Sequence, residues 1–221
     1  MFSIARRVFL YPVNLKAEGL RALVIGGGHV ALRKVKKLIA EGADVTILAP
    51  EVVSDIAALA EAEKVHWEKH LFRGDDLSLY GLVVTACGVR EVADAVHQAS
   101  KKSHFLYNAA DFPPLGNCSL PAAFDAGGIQ ITVSTNGRSP AMARYMKEWL
   151  SAKIPEGFGL WLDRVGKMRV EMKERISTSE AREAFWRAVF TEDIMHLVMQ
   201  GKLDEAEECV RHAVGRFGAE S

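Results

Sequence analysis

The sequence predicts an α/β fold: an N-terminal Rossmann-like parallel sheet, a small strand-and-helix middle and a C-terminal helical domain. Three observations predict it. Apolar runs of strand length alternate with helical periodicity up to about residue 112. A cluster of three glycines joins the first such run to the first helical stretch. From Pro155 onward the periodicity is helical throughout.

"RALVI" (Arg21 to Ile25) reads as a buried strand. Val30, Ala31, Val35, Leu38 and Ile39 then recur at helical spacing, and Gly42 follows as a stop. "DVTILA" (Asp44 to Ala49) is the second strand, broken by Pro50. "SDIAALAEAE" predicts a helix capped by Ser54. "KVHWEKH" alternates as a short strand, "LVVTA" is a buried strand, "REVADAVHQASKK" a helix and "HFLYNAA" another strand. Alternation of this kind implies parallel strands with helices on both faces.

The pattern changes after Asp111. "CSLPAAF" and "IQITVST" are strand-like and separated by "DAGG", a hairpin signal. Two strands alone are marginal in water, so a second copy of the chain is expected to supply more sheet. In "RSPAMARYMKEWL", Ser139 is a good N-cap and Pro140 suits the first helical position. "STSEAREAFWRAVF" opens with Ser177 and Glu180 at capping-box spacing, and Gly201 separates the last two helices. The expected domains are residues 1–112, 113–152 (the dimerisation region) and 153–221.

Bulk properties exclude several classes. The 221 residues carry 28 Lys and Arg against 28 Asp and Glu, so nothing in the charge calls for nucleic acid or an anionic membrane. Cys87, Cys118 and Cys209 are scattered, with no C-x-x-C pair, which fits a reducing cytoplasm. No apolar run reaches the length of a membrane span. "MFSIARRVFLYP" is read as loose residues leading into the fold, not as a signal peptide. His97 and His104 fit structural roles better than metal ligation, no metal-ligand spacing such as H-E-x-x-H occurs, and no metal site is expected.

Gly26, Gly28 and Ala31 stand at G-x-G-x-x-A spacing between a strand and a helix. The first glycine permits a tight turn, the second lets backbone approach a pyrophosphate, and small Ala31 lets helix pack on strand. The helix N-terminus then offers free N–H groups to phosphate. The competing reading is a glycine turn that merely packs a helix. His29 inside the loop fits a solvent-facing spacer better than a phosphate contact. Glu51, after the second strand, suits ribose hydroxyls, and no neighbouring Arg welcomes a 2′-phosphate, so NAD is expected over NADP. The bland alternative is that Glu51 simply starts the next helix.

Three stretches in order, "FLYPVNLKAEGLRALVIGGGHVALRKVKKLIAEGADVTILAPE", "YNAADFPPLGNCSLPA" and "ITVSTNGRSPAMARYMKEWL", resemble the precorrin-2 dehydrogenases. These are the stand-alone siroheme-synthesis enzymes and the N-terminal module of multifunctional siroheme synthases. "REAFWRAVF" is similar too, so the resemblance runs from about Phe9 across nearly the whole chain. It implies NAD-dependent oxidation of precorrin-2 to sirohydrochlorin, with ferrous iron insertion in some members, and an intertwined homodimer. It implies cofactor contacts at His29, Val30, Pro50 and Glu51, and a catalytic Asp111. The methyltransferase module of the fused enzymes is absent from the sequence, so methylation is expected elsewhere. "TACGV" (Thr85 to Val89) departs from the family's usual "ATND", "FPPLGNCSLPA" departs from its usual "P…CNF…PA" run, and Thr135 stands where the fused enzyme has a phosphorylatable serine.

The implied chemistry suits the residues. Asp111 lies on the loop after the fifth strand, near the carboxyl ends where open α/β sheets bind ligands. Its bland reading is a turn residue before Phe112-Pro113-Pro114. A substrate rich in carboxylates needs cations and donors. Arg138, Arg144 and Lys147 flank the Ser139 helix start, and Ser134, Thr135, Asn136 and Ser139 offer hydrogen bonds there. An ordinary solvated face explains them equally well. The alternatives to a plain dehydrogenase are a bifunctional dehydrogenase and ferrochelatase, or a non-catalytic module that holds NAD or a tetrapyrrole.

Overall fold

The structure, a computed structural model, describes residues 10–217. The reading of the first nine residues as a loose lead-in lies outside them. Five strands, β1 (Arg21–Ile25), β2 (Asp44–Leu48), β3 (His66–Glu68), β4 (Leu82–Thr85) and β5 (Leu106–Ala109), form a sheet in the order β3-β2-β1-β4-β5. Every pairing in it is parallel. The chain moves outward from β1 to β3, then crosses back to place β4 against β1. That reversal leaves a crevice at the carboxyl ends of β1 and β4.

Period-two alternation divides the strand side chains between two cores. Ala22 and Val24 pack with Val35 of α1 (His29–Ala40) and Ile56 of α2 (Ser54–Glu61). Leu23, Ile25 and Val83 pack on the other face with Val96 of α3 (Arg90–Ser103) and Tyr107. Burial on both faces is why these strands read as unbroken apolar runs.

The expected cap at Ser54 is corrected. Ser54 is the first helical residue of α2, and extended Val53 (φ −64°, ψ 152°) holds the cap position without a side-chain bond. The Val53 N–H donates to the Gly27 carbonyl at 2.9 Å, so the glycine loop, not a hydroxyl, sets where α2 begins.

The chain divides into two compact units that meet between Leu120 and Pro121. Residues after Asp111 stay with the first unit because they bond back to β5. Asn117 Oδ1 accepts from the Tyr107 N–H at 2.7 Å, and its Nδ2 donates to the Phe105 carbonyl at 3.0 Å. The Cys118 carbonyl accepts from Asn108 Nδ2 at 3.1 Å. This tie also keeps Cys118 to Pro121 out of the strand expected there.

In the second unit, β6 (Ala122–Asp125) pairs antiparallel with β7 (Gln130–Val133). The turn between them places Gly127 and Gly128 at φ +65° and +100°, which is why glycine stands at both. Then come α4 (Pro140–Ser151), α5 (Phe158–Arg175), α6 (Ser179–Val189), α7 (Glu192–Met199) and α8 (Leu203–Phe217). Trp161, Met168, Phe185, Val198 and Val210 centre the helical core. Ser139 caps α4 as expected, accepting from the Met142 N–H at 3.2 Å. The cap of α6 is one residue later than expected. Thr178, not Ser177, stays extended and accepts from the Ala181 N–H at 3.2 Å.

Candidate active site

Strand register levels the ends of the central strands. Ile25 lies beside both Leu48 and Thr85, and Thr85 lies beside Ala109. The segments that follow therefore leave one edge together: Gly26–Gly28 after β1, Pro50–Glu51 after β2, Ala86–Gly88 after β4 and Ala110–Asp111 after β5.

The three glycines answer different needs. Gly26 sits at φ +131°, and a Cβ there would lie 2.3 Å from the Ala86 carbonyl oxygen. A Cβ on Gly27 would lie 2.0 Å from the Glu51 carbonyl oxygen. Both are required by the protein's own packing, and for Gly27 the sequence pattern assigned no role. A Cβ on Gly28 would meet nothing within 4 Å. The space beside Gly28 is thus open, as a backbone that a phosphate must approach requires.

Gly28 is also the N-cap of α1, which has no side-chain cap and no acidic residue in its first turn. The first-turn N–H groups lack helical acceptors and carry the positive end of the helix dipole. His29 is exposed, Val30 half-buried and Ala31 fully buried, which is the close helix–sheet packing the motif requires. Pro50 and Glu51 are exposed, with the Glu51 backbone against the loop. Uncapped N–H groups, an open glycine and a nearby acid suit a dinucleotide.

Asp111 is exposed, and its Oδ2 accepts from the Gly88 N–H at 2.8 Å. The segment around it is held from three sides. The Ala110 N–H donates to the Thr85 carbonyl at 2.9 Å. The Arg90 guanidinium lies 5.4 Å from the centre of the Phe112 ring. His97 meets the Leu115 carbonyl through Nδ1 at 2.6 Å, a structural bond in which the ring N–H donates. Beneath, the buried Tyr107 hydroxyl donates to the Ala93 carbonyl at 3.1 Å and receives the Thr85 hydroxyl at 2.9 Å. Burial raises the Tyr107 phenol above its ordinary range, so it remains a neutral donor.

The second set of candidates gathers in the other unit, before α4. Thr135 Oγ1 accepts from the Ser139 N–H at 3.0 Å and donates to the Ser139 carbonyl at 3.1 Å. Arg138 Nε donates to the Thr135 carbonyl at 3.1 Å. Ser134 Oγ accepts from the Asn136 N–H at 3.2 Å. Asn136 and Gly137 both take positive φ, at +52° and +75°. Arg144 is exposed, on the first turns of α4. Among the described residues, no group of three or more His, Cys, Asp or Glu is placed to hold a metal ion, and no helix is long and apolar enough to cross a membrane.

Three family models match in succession. An NAD(P)-binding family covers residues 13–122, the sirohaem biosynthesis protein central region covers 127–152, and the sirohaem synthase dimerisation region covers 157–214. The siroheme synthase of Psychrobacter sp. (strain PRwf-1) is 32% identical over 206 residues, spanning 91% of this chain and 41% of that protein. Siroheme synthase 1 of Pectobacterium atrosepticum is 33% identical over 196 residues, spanning 89% of this chain and 41% of that protein. The chain thus spans less than half the length of these curated relatives. Among solved structures, SirC, a precorrin-2 dehydrogenase, matches with a TM-score of 0.68 at 28% identity, covering 90% of this chain and 99% of that one.

Proposed function

The chain belongs to the precorrin-2 dehydrogenase and siroheme synthase family, and from that premise we propose that it oxidises precorrin-2 to sirohydrochlorin with NAD, in siroheme biosynthesis. The observation that carries the reading is a single edge of the sheet. An open glycine cradle after β1 and an oriented carboxylate after β5 leave that edge, with β4 between the two strands. When bound, NAD supplies the hydride acceptor.

The residues then take these roles. The Gly28 space and the N–H groups of His29, Val30 and Ala31 receive the pyrophosphate. Glu51, beside Pro50, takes the ribose hydroxyls, which favours NAD over NADP. Asp111 keeps Oδ2 on the Gly88 N–H and uses Oδ1 to accept the proton that the macrocycle gives up as hydride departs. In the second unit, Arg138 and Arg144 meet substrate carboxylates, with Ser134 and Ser139 as further donors, while Thr135, whose hydroxyl hydrogen goes to the Ser139 carbonyl, holds the loop that presents them. A homodimer is part of the proposal. Met142, Tyr145 and Trp149 leave an apolar stripe exposed on α4, next to a two-stranded sheet.

The test is anaerobic incubation of the chain with precorrin-2 and NAD, followed by absorbance. NAD-dependent formation of sirohydrochlorin is expected. Asp111→Asn keeps the size and removes the basicity, so turnover should fall about 10²–10⁴-fold. NAD affinity should hold, because Asp111 is not on the phosphate loop. Near-normal turnover by folded Asp111→Asn protein would refute the assignment.

A further inference from the structure

We propose that Gly88 is a positioning residue that sets the orientation of Asp111, an inference that rests on Asp111 being the proton acceptor. The bond from the Gly88 N–H to Asp111 Oδ2, at 2.8 Å, joins groups 23 residues apart. Both are exposed, so the bond contributes little to stability. Its effect is directional: it occupies one carboxylate oxygen and turns the other outward.

The turn that carries this N–H is anchored at both ends. Upstream, the Ala86 N–H donates to the Ile25 carbonyl at 2.8 Å, and the Ala86 peptide lies against Gly26. Downstream, extended Val89 (φ −100°, ψ 115°) leads into α3, where Arg90 stacks over Phe112, the neighbour of Asp111. Between these anchors Gly88 takes φ +69°. A Cβ there would meet nothing within 4 Å. Glycine is therefore needed at 88 for its backbone angle and not for space. The angle points the N–H at Asp111. The same turn touches the cofactor loop at one end and the carboxylate at the other.

This separates conformation from size, and a substitution series reads the difference. Asn enters the left-handed region readily, Ala does so at a cost, and β-branched Val resists it. The expected order of kcat is Gly88→Asn above Gly88→Ala above Gly88→Val. A displaced carboxylate should cost Gly88→Val about 10–100-fold, with the KM for NAD little changed. A merely steric role would spare Ala and impair Asn and Val alike. In an Asp111→Asn background, Gly88→Val should lower kcat by less than about twofold further, because the group it positions is gone. Independently of activity, the Gly88 amide resonance in the free protein should move on Asp111→Asn.

Two outcomes overturn the proposal and leave Asp111 as the proton acceptor. One is Asn and Val variants impaired alike, with Asp111→Asn still inactive. The other is a Gly88 amide resonance that ignores the Asp111 substitution. An active Asp111→Asn enzyme would instead overturn the Asp111 assignment, and the positioning role with it.

Discussion

Two loops in this chain are rich in backbone donors, and they dispose of them in opposite ways. At the sheet edge, Gly26 and Gly27 pack backbone on backbone, while Gly28 faces open space above an uncapped helix start. Before α4, the corresponding positions carry hydroxyls, and the loop closes on itself. Thr135 bonds both the N–H and the carbonyl of Ser139, and Ser139 caps the helix. A helix start built from glycine leaves its N–H groups for a ligand. One built from Ser and Thr satisfies part of them internally. The exposed Arg144 and the remaining donors of Arg138 face outward there without such a role.

The largest expected effects come from substitutions inside the glycine run. Gly27→Val drives a Cβ into the Glu51 carbonyl, 2.0 Å away on rigid backbone. It should lose about 1–3 kcal/mol or more in urea unfolding. Gly28→Val places its Cβ where no protein atom lies within 4 Å, so its melting temperature should stay near the parent's while NAD binding is abolished. Unchanged NAD affinity in folded Gly28→Val protein would end the distinction between a packing glycine and a cradle glycine.

A smaller effect is expected at Arg144. Losing one charged hydrogen bond to a substrate carboxylate should raise the tetrapyrrole KM about 10-fold or more. Arg144→Ala should leave stability unaltered, because the side chain is exposed. Smaller again is Ser139→Ala, which removes a cap and should cost about 1 kcal/mol of stability. If its KM effect exceeds that of Arg144→Ala, the second loop is open to ligand after all, and the contrast weakens.

The smallest effect concerns Cys118 of the first unit against exposed Cys209 of the second. Burial pushes the Cys118 thiol up to about 11 from an ordinary 9.0. The unfolded chain releases this proton first as pH rises. The stability is therefore full below the ordinary value and is lost as pH climbs to about 11. The melting temperature of the parent should fall more over that window than that of Cys118→Ala. Equal falls would show that the thiol is not buried in solution. At neutral pH, a maleimide should modify Cys209 before Cys118.

What the sequence determined alone was whatever repeats locally. Strand and helix identity in the first unit follows from periodicity, and β1 spans the same residues that the apolar run marks. The G-x-G-x-x-A spacing pointed to Gly28, and the position of Asp111 after a sheet strand pointed to the carboxyl edge of the sheet, where it lies. Tertiary structure decided whatever depends on segments distant in the chain. Val53 displaces Ser54 as the cap of α2 because its N–H reaches Gly27, 26 residues earlier. The Pro113–Leu120 segment stays with the first unit because Asn117 and Cys118 bond to β5. Gly27 and Gly88 carry no signal in any spacing. One is specified by a carbonyl on the next strand's loop, the other by a carboxylate 23 residues away. Periodicity records which face a residue turns to the core. It does not record what approaches that face from another strand, and at this edge it is the approach of another strand's loop that orients the carboxylate.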